Sequence, residues 1–506
     1  MDGTKGIKNA SYGFLAQFLT IGIGIIIPRL VLVNLGSEAN GLLSSVGNVL
    51  SYMSLLEAGV GTATLQALYR PCATGDRDSA NSIMAATDYF YRRTGKIYFI
   101  VVLVITVVYT FVVETELPRN VVFIVVLLSG LTGVISYFFQ GKFRIFLSAE
   151  GKNYINTNIV TTIHIATSIA KAILLYTGFG VVAVQISGFL FNLIQVFVYY
   201  VYMKCHYPWL STSVKPNFDA ISQRNAVLVH QISGLIFSNT DILLLTVFVG
   251  LKEVSVYSMY ALIYGLVKNM ATVLYDSYTY ALGQSYNTNR KRFMRMFDAY
   301  EVLTMMITFS LYCICRVMMN PFLRLYTSGV HDIQYVDTYL PWLFAIFYLL
   351  HNGRTSSGTV INIAQRFEET KWRSILESVI NVTVSVVCVI RFGIYGVLLG
   401  TIVALLYRTN DMIIYASHIL ERSCLITYKR WILNMTLFFG LSVAIDRITI
   451  PADNYIQLIL SATGISIVVV GVFIIVNVIA ERESARYVYG IARSMLHTFI
   501  KRFRNT

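Results

Sequence analysis

Apolar residues occur in runs of about 20 along nearly the whole chain, separated by short polar turns. As α-helix, about 20 residues rise ~30 Å, the thickness of the hydrocarbon core of a bilayer. The runs predict about 14 transmembrane helices, near 11–33, 42–66, 95–114, 120–140, 154–176, 181–203, 225–249, 256–282, 297–319, 338–362, 374–391, 394–417, 431–450 and 456–480. Helices satisfy their own backbone hydrogen bonds, which lipid cannot do for them. A barrel would need alternating segments of about 10 residues, half the length found here. The fold class read from the pattern is an all-α membrane protein.

Landmarks in the pattern recur at one offset. The first span ends in Asn34-Leu35-Gly36-Ser37-Glu38 and the seventh in Phe248-Val249-Gly250-Leu251-Lys252-Glu253. The turn Thr177-Gly178-Phe179-Gly180 has its counterpart in Phe392-Gly393-Ile394-Tyr395-Gly396. The loop Ala149-Glu150-Gly151-Lys152 matches Ala364-Gln365-Arg366. All three lie 214 or 215 positions apart. Such spacing predicts two pseudo-repeated six-helix bundles plus two C-terminal helices, an architecture of transporters. The halves are 1–203 and 224–417, joined by a polar linker, 204–223, that carries Pro208 and Pro216. The two additional helices fall in 418–480, and 481–506 is a basic tail. Within that tail 482–504 reads as an amphipathic helix suited to lie on a membrane surface, or as a solvated or partner-binding segment.

Composition agrees with this class: 56% of the 506 residues are hydrophobic and 13% charged, against about 25% charged in soluble domains. With the N-terminus inside, 30 of the 40 Lys and Arg fall in inner segments. That bias predicts cytoplasmic termini. Inner loops facing anionic lipid account for the net charge of +14 without any nucleic acid. The first apolar run is too long for the core of a signal peptide and reads as a retained span. The six cysteines show no metal-binding spacing and no framework for an outer disulfide.

Charged residues inside spans are costly and usually face a cavity or a partner, so they are the best functional clues. In the eighth span Tyr257, Tyr260, Tyr264, Lys268, Tyr275 and Tyr278 share one helix face. A cation on a tyrosine-lined stripe suits an anionic, sugar-bearing ligand. The competing reading makes the end tyrosines interfacial belts and pairs Lys268 with Asp276. In the seventh span His230, Ser238 and Asp241 share a face beside Gly234, as a polar stripe or as a close helix contact. Arg29 is the near-equivalent of Asp241 in the other half. It is expected to receive a ligand phosphate, to pair with Asp241, or to snorkel to the interface. Arg354 lies in the inner part of the tenth span, near His351. Glu57, in Leu56-Glu57-Ala58-Gly59-Val60-Gly61, is a candidate for ion coupling or for structural hydrogen bonding. The substrate-binding candidates are therefore Arg29, Lys268, Arg354, Tyr257, Tyr260, Tyr264 and Tyr275. The coupling or gating candidates are Asp241, Glu57 and His230. No Walker loop, HExxH or nucleophile elbow is present, and no enzyme activity, cofactor or metal is expected.

The chain resembles the Wzx-type polysaccharide flippases of the multidrug/oligosaccharidyl-lipid/polysaccharide exporter superfamily. The residues that carry the resemblance include Leu35-Gly36-Ser37-Glu38-Ala39-Asn40-Gly41, Leu56-Glu57-Ala58-Gly59-Val60-Gly61-Thr62-Ala63 and Leu68-Tyr69-Arg70-Pro71. Further pieces are Thr240-Asp241-Ile242-Leu243-Leu244, Val256-Tyr257-Ser258-Met259-Tyr260, Pro321-Phe322-Leu323-Arg324-Leu325-Tyr326 and Gly393-Ile394-Tyr395-Gly396-Val397. The resemblance implies two six-helix halves around an alternately opening, cationic cavity, with two added helices. It implies a substrate, an oligosaccharide repeat unit on undecaprenyl pyrophosphate, carried across the bacterial inner membrane for capsule, exopolysaccharide or O-antigen assembly. Membrane lipids are the other expected partner, and a polysaccharide polymerase is a candidate one. The alternative is an ion-coupled drug or cation antiporter of the same superfamily, against which the within-span cations speak.

Overall fold

The structure, a computed structural model, describes residues 3–53, 60–221, 235 and 239–490. Every extended regular element among them is helical: α1 (Gly3–Ser51), α2 (Val60–Thr74), α3 (Arg77–Val112), α4 (Arg119–Ile135), α5 (Gly141–Ala149), α6 (Asn153–Tyr176) and α7 (Val181–His206). After α8 (Asn239–Phe248) come α9 (Leu251–Thr288), α10 (Arg290–Tyr326), α11 (Leu340–Gly353), α12 (Thr355–Ile363), α13 (Phe367–Leu420), α14 (Leu425–Asp446) and α15 (Tyr455–Ala480).

Eight helices among the described residues are long and apolar enough to cross a membrane. Several of the fourteen expected spans are distributed differently. A straight 49-residue α1 would measure ~74 Å, more than twice the hydrocarbon core. Its one non-helical residue is Gly36, where the sequence places a turn. Two expected spans likewise lie in the 54-residue α13, whose break is Gly393 (φ 52°, ψ −127°). The arms on either side fold back on each other: Asn381 Nδ2 donates to Thr401 Oγ1 at 2.8 Å, and Ser385 Oγ donates to the Val397 carbonyl at 3.3 Å. α13 is therefore a helical hairpin with a single-residue turn. α11 has only 14 residues because the chain breaks at Arg354. The seventh expected span falls largely outside the described residues.

The chain divides into two compact units, Met1–Ser258 with Gly329–Ile333, and Met259–Ser328 with Gln334–Thr506. In the first, α6 packs on α1 and α7, α4 on α3 and α7, and α2 on α3 and α5. One core there joins Leu68, Met84, Phe146, Leu147, Tyr199 and Met203. In the second unit α10 is central and packs on α11, α14 and α15. Leu282, Phe293, Phe297, Tyr300, Val360 and Leu420 form one of its cores. The outward faces are apolar: on α15 alone Ile456, Ile459, Leu460, Ile467, Ile475 and Ile479 are exposed. A water-soluble protein does not present such a continuous apolar skin, whereas lipid requires one. The chain is a multi-pass membrane protein.

The repeat offset recurs in the backbone. Positive φ angles occur at Gly36 and Gly250, at Gly151 and Gln365, and at Gly178 and Gly393. The first two pairs are 214 positions apart and the third 215. The middle pair aligns Gly151 with Gln365, one residue from the register Glu150–Gln365 that the sequence suggests. Helix starts follow the same spacing: Gly141 and Thr355 open α5 and α12, and Asn153 and Phe367 open α6 and α13. A π-helical stretch, Ser136–Gln140, separates α4 from α5, and Arg354 separates α11 from α12. Gln140 and Arg354 are likewise 214 positions apart.

Candidate functional site

In the second unit three tyrosines of α9 are packed rather than open. Tyr260, Tyr264 and Tyr275 are each at most 2% exposed. The Tyr260 hydroxyl donates to the Tyr335 carbonyl at 2.9 Å, and the Tyr264 hydroxyl donates to the Pro341 carbonyl at 2.6 Å. Tyr275 is hydrogen-bonded to Thr308. Stacking fixes the rings: Tyr260 on Phe344 at 5.2 Å, and Tyr264 on Phe344 at 5.8 Å and Tyr348 at 5.5 Å. Buried phenols need acceptors, and α9 finds them at the start of α11 and in the segment before it. Tyr278 is exposed.

Four residues beyond Tyr264, the stripe turns cationic. Lys268 is half-buried and lies within electrostatic reach of Arg354 and His351. Arg354, at the α11–α12 break, donates from Nη1 to Glu377 Oε1 at 2.6 Å. Glu377 also approaches Arg408, with Oε2 3.4 Å from Nε. Arg408 Nη1 is 2.6 Å from Asp411 Oδ2, and Arg373 Nη1 is 2.7 Å from Asp411 Oδ1. The chain of alternating charges runs Arg354, Glu377, Arg408, Asp411, Arg373. Its three cations exceed its two carboxylates, and Lys268 adds a further positive charge. Sequence reasoning singled out Lys268 and Arg354 and missed Glu377 and Arg408. Both lie within expected spans, so the test applied to Glu57 would have found them.

The first unit holds a separate polar interior. Asp241, on α8, is 4% exposed and accepts from the Tyr257 hydroxyl through Oδ2 at 2.9 Å. Tyr257 thus works with Asp241, apart from the other tyrosines of its stripe. Ser45 Oγ meets Thr246 Oγ1 at 2.7 Å and accepts from the Tyr109 hydroxyl at 2.8 Å. Asn40 Nδ2 donates to Ser255 Oγ at 2.7 Å. Arg29 is half-buried on α1. Glu57 and His230, with Gly234 and Ser238, lie outside the described residues.

Outside the spans, two titratable groups are tuned by their neighbours. Burial and the adjacent Glu150 carboxylate push the Cys72 thiol up to about 12. A hydrogen bond to Glu116 at 2.6 Å raises Lys252 above the ordinary lysine range.

No protein-family model matches the chain, and no curated protein matches it significantly. Solved structures do. The lipid II flippase MurJ in an inward closed conformation superimposes with a TM-score of 0.71 at 12% identity, covering 93% of this chain and 98% of that one. An inward-facing multidrug resistance MATE family transporter of the MOP superfamily superimposes with a TM-score of 0.65 at 16% identity, over 80% of this chain and 96% of that one. A MATE structure in a bent conformation gives a TM-score of 0.53 at 15% identity, over 82% and 97%. At these identities the likeness is one of fold. The chain has the fold shared by these MOP-superfamily transporters and flippases.

Proposed function

We propose that this protein is a flippase that moves an oligosaccharide repeat unit on undecaprenyl pyrophosphate from the inner to the outer leaflet by alternating access. In this reading the membrane is a bacterial inner membrane with both chain termini cytoplasmic. Two pseudo-repeated halves, 1–203 and 224–417, carry the transport cycle. The observation that carries the proposal is the excess of cations in the interior of the second unit, where Lys268 and Arg354 lie within electrostatic reach of each other. A multiply charged phosphate head needs such charges to leave water. The likeness to MurJ over 93% of the chain supports a lipid-linked cargo. Arg29, Tyr257, Tyr260, Tyr264 and Tyr275 are assigned to the cargo path in states other than this one, and Asp241, Glu57 and His230 to coupling or gating.

The test uses cells lacking this protein, complemented with wild type or with Lys268→Ala. Undecaprenyl-linked oligosaccharide should accumulate on the inner leaflet and be cleared by wild type only. If no lipid-linked oligosaccharide accumulates and tolerance to cationic drugs changes instead, the protein is an antiporter. Asp241, a buried acid hydrogen-bonded to Tyr257, then becomes the residue to mutate.

A further inference from the structure

The interruption between α11 and α12 holds more than Arg354. α12 opens with Thr355-Ser356-Ser357 and has no side-chain cap. The first N–H groups of a helix lack intrahelical partners and form its positive end. Ser356, in that first turn, is 2% exposed, and its Oγ has no hydrogen-bond partner among the described residues. A buried hydroxyl without a partner can donate to a ligand oxygen. Lys268 stands within electrostatic reach of Arg354. The α9 surface opens just beyond Lys268, at exposed Asn269 and Met270.

Glu377 is the group that neutralises Arg354 here, with one oxygen on Arg354 and the other toward Arg408. The planar guanidinium fork accepts a carboxylate or a phosphate in the same geometry. The equivalent interruption in the first repeat carries neutral Gln140, whose Oε1 accepts from Gln195 Nε2 at 2.6 Å. That copy has no charge to exchange.

We propose that the α11–α12 break is a binding site for a phosphate-class anion, which takes Arg354 from Glu377 and is received by Lys268, the Ser356 hydroxyl and the first amides of α12. The proposal rests on the flippase reading for Lys268 and Arg354 and adds Ser356 as a ligand and Glu377 as a resident counter-ion. Exchange keeps Arg354 paired with and without cargo, so its charge is never left buried and uncompensated. Glu377 keeps Arg408 when it leaves Arg354. The anion comes from a lipid head group or from free phosphate, and the two sources are separable.

The experiment uses the full chain in phosphatidylcholine nanodiscs, titrated in parallel with inorganic pyrophosphate and with undecaprenyl pyrophosphate. Ser356→Ala should keep the thermal midpoint of wild type, because it removes an unpaired hydroxyl, and yet weaken anion binding. Glu377→Gln should lower the midpoint in the absence of anion, bind about tenfold tighter (~1.4 kcal/mol) and regain the midpoint on saturation. Unchanged binding in Ser356→Ala, or no gain in Glu377→Gln, overturns the proposal and leaves Glu377 a fixed structural partner. The variant pattern with inorganic pyrophosphate alone upholds the site and sinks the flippase reading. Binding of neither probe by wild type ends both.

Discussion

Asn40 and Ser255 meet across 215 positions of sequence, with Nδ2 donating to Oγ at 2.7 Å. The bond ties α1 to the first turns of α9.

A cysteine at each of these positions, Asn40→Cys with Ser255→Cys, should form an intramolecular disulfide under mild oxidation. Gel mobility and peptide mass would report it. If neither single nor paired variants differ after oxidation, the two residues do not meet in the membrane-embedded protein.

Next to this contact, a β-carbon on Gly41 would lie 1.8 Å from the Leu251 carbonyl oxygen. Alanine in a helix interior normally stabilises by up to about 1 kcal/mol relative to glycine. Here backbone meets backbone, and the sign should reverse. Gly41→Ala is expected to cost about 1–3 kcal/mol through overpacking, read as a lowered thermal midpoint in detergent. A raised midpoint would mean that α1 and α9 stand further apart than described.

Cys72 and Cys205 provide a chemical comparison. Cys205 is exposed, while Cys72 is half-buried beside Glu150 with its thiol pushed up to about 12. The thiolate is the reactive form. Maleimide at neutral pH should label Cys205 first, and the rate at Cys72 should still climb about tenfold per pH unit beyond the usual thiol pKa of ~8.5. Equal rates at neutral pH would contradict the placement of Cys72 against Glu150.

At one end of the second unit Glu301 is buried and accepts from Thr427 at 2.9 Å and Arg422 at 2.7 Å, and it pairs with Arg430 as well. Arg430 also reaches Asp298 and Glu481, each at 3.0 Å. The cluster ties α10 and α14 to the residue that follows α15. Glu301→Ala should cost about 3–5 kcal/mol, because two guanidinium groups lose a buried partner. Unfolding of the variant in detergent is the measurement, and a loss below ~1 kcal/mol would make this a solvated surface pair.

Apolar periodicity made the helices legible, and glycines made several turns legible. Gly36, Gly178, Gly250 and Gly393 carry positive φ where the sequence places turns. The sharpness of the turns was not legible: Gly393 alone reverses the chain, so two expected spans share one continuous helix. Site chemistry was legible only as single charges. Lys268 and Arg354 stand out against apolar neighbours, whereas the pairing of Arg354 with Glu377 depends on the packing of α11 and α12 on α13. The destination of the Tyr260 and Tyr264 hydroxyls was also hidden, because their acceptors are main-chain carbonyls 75 and 77 residues downstream. A backbone acceptor leaves no mark on residue type.

Gln140 and Arg354 lie 214 positions apart, each at an interruption between two helices. An unneutralised cation at such a place is destabilising. Arg354 stands there with the Glu377 carboxylate beside it, whereas the Gln140 amide needs no counter-ion. The integrity of one interruption thus hangs on a second residue elsewhere in the sequence, and that of the other does not.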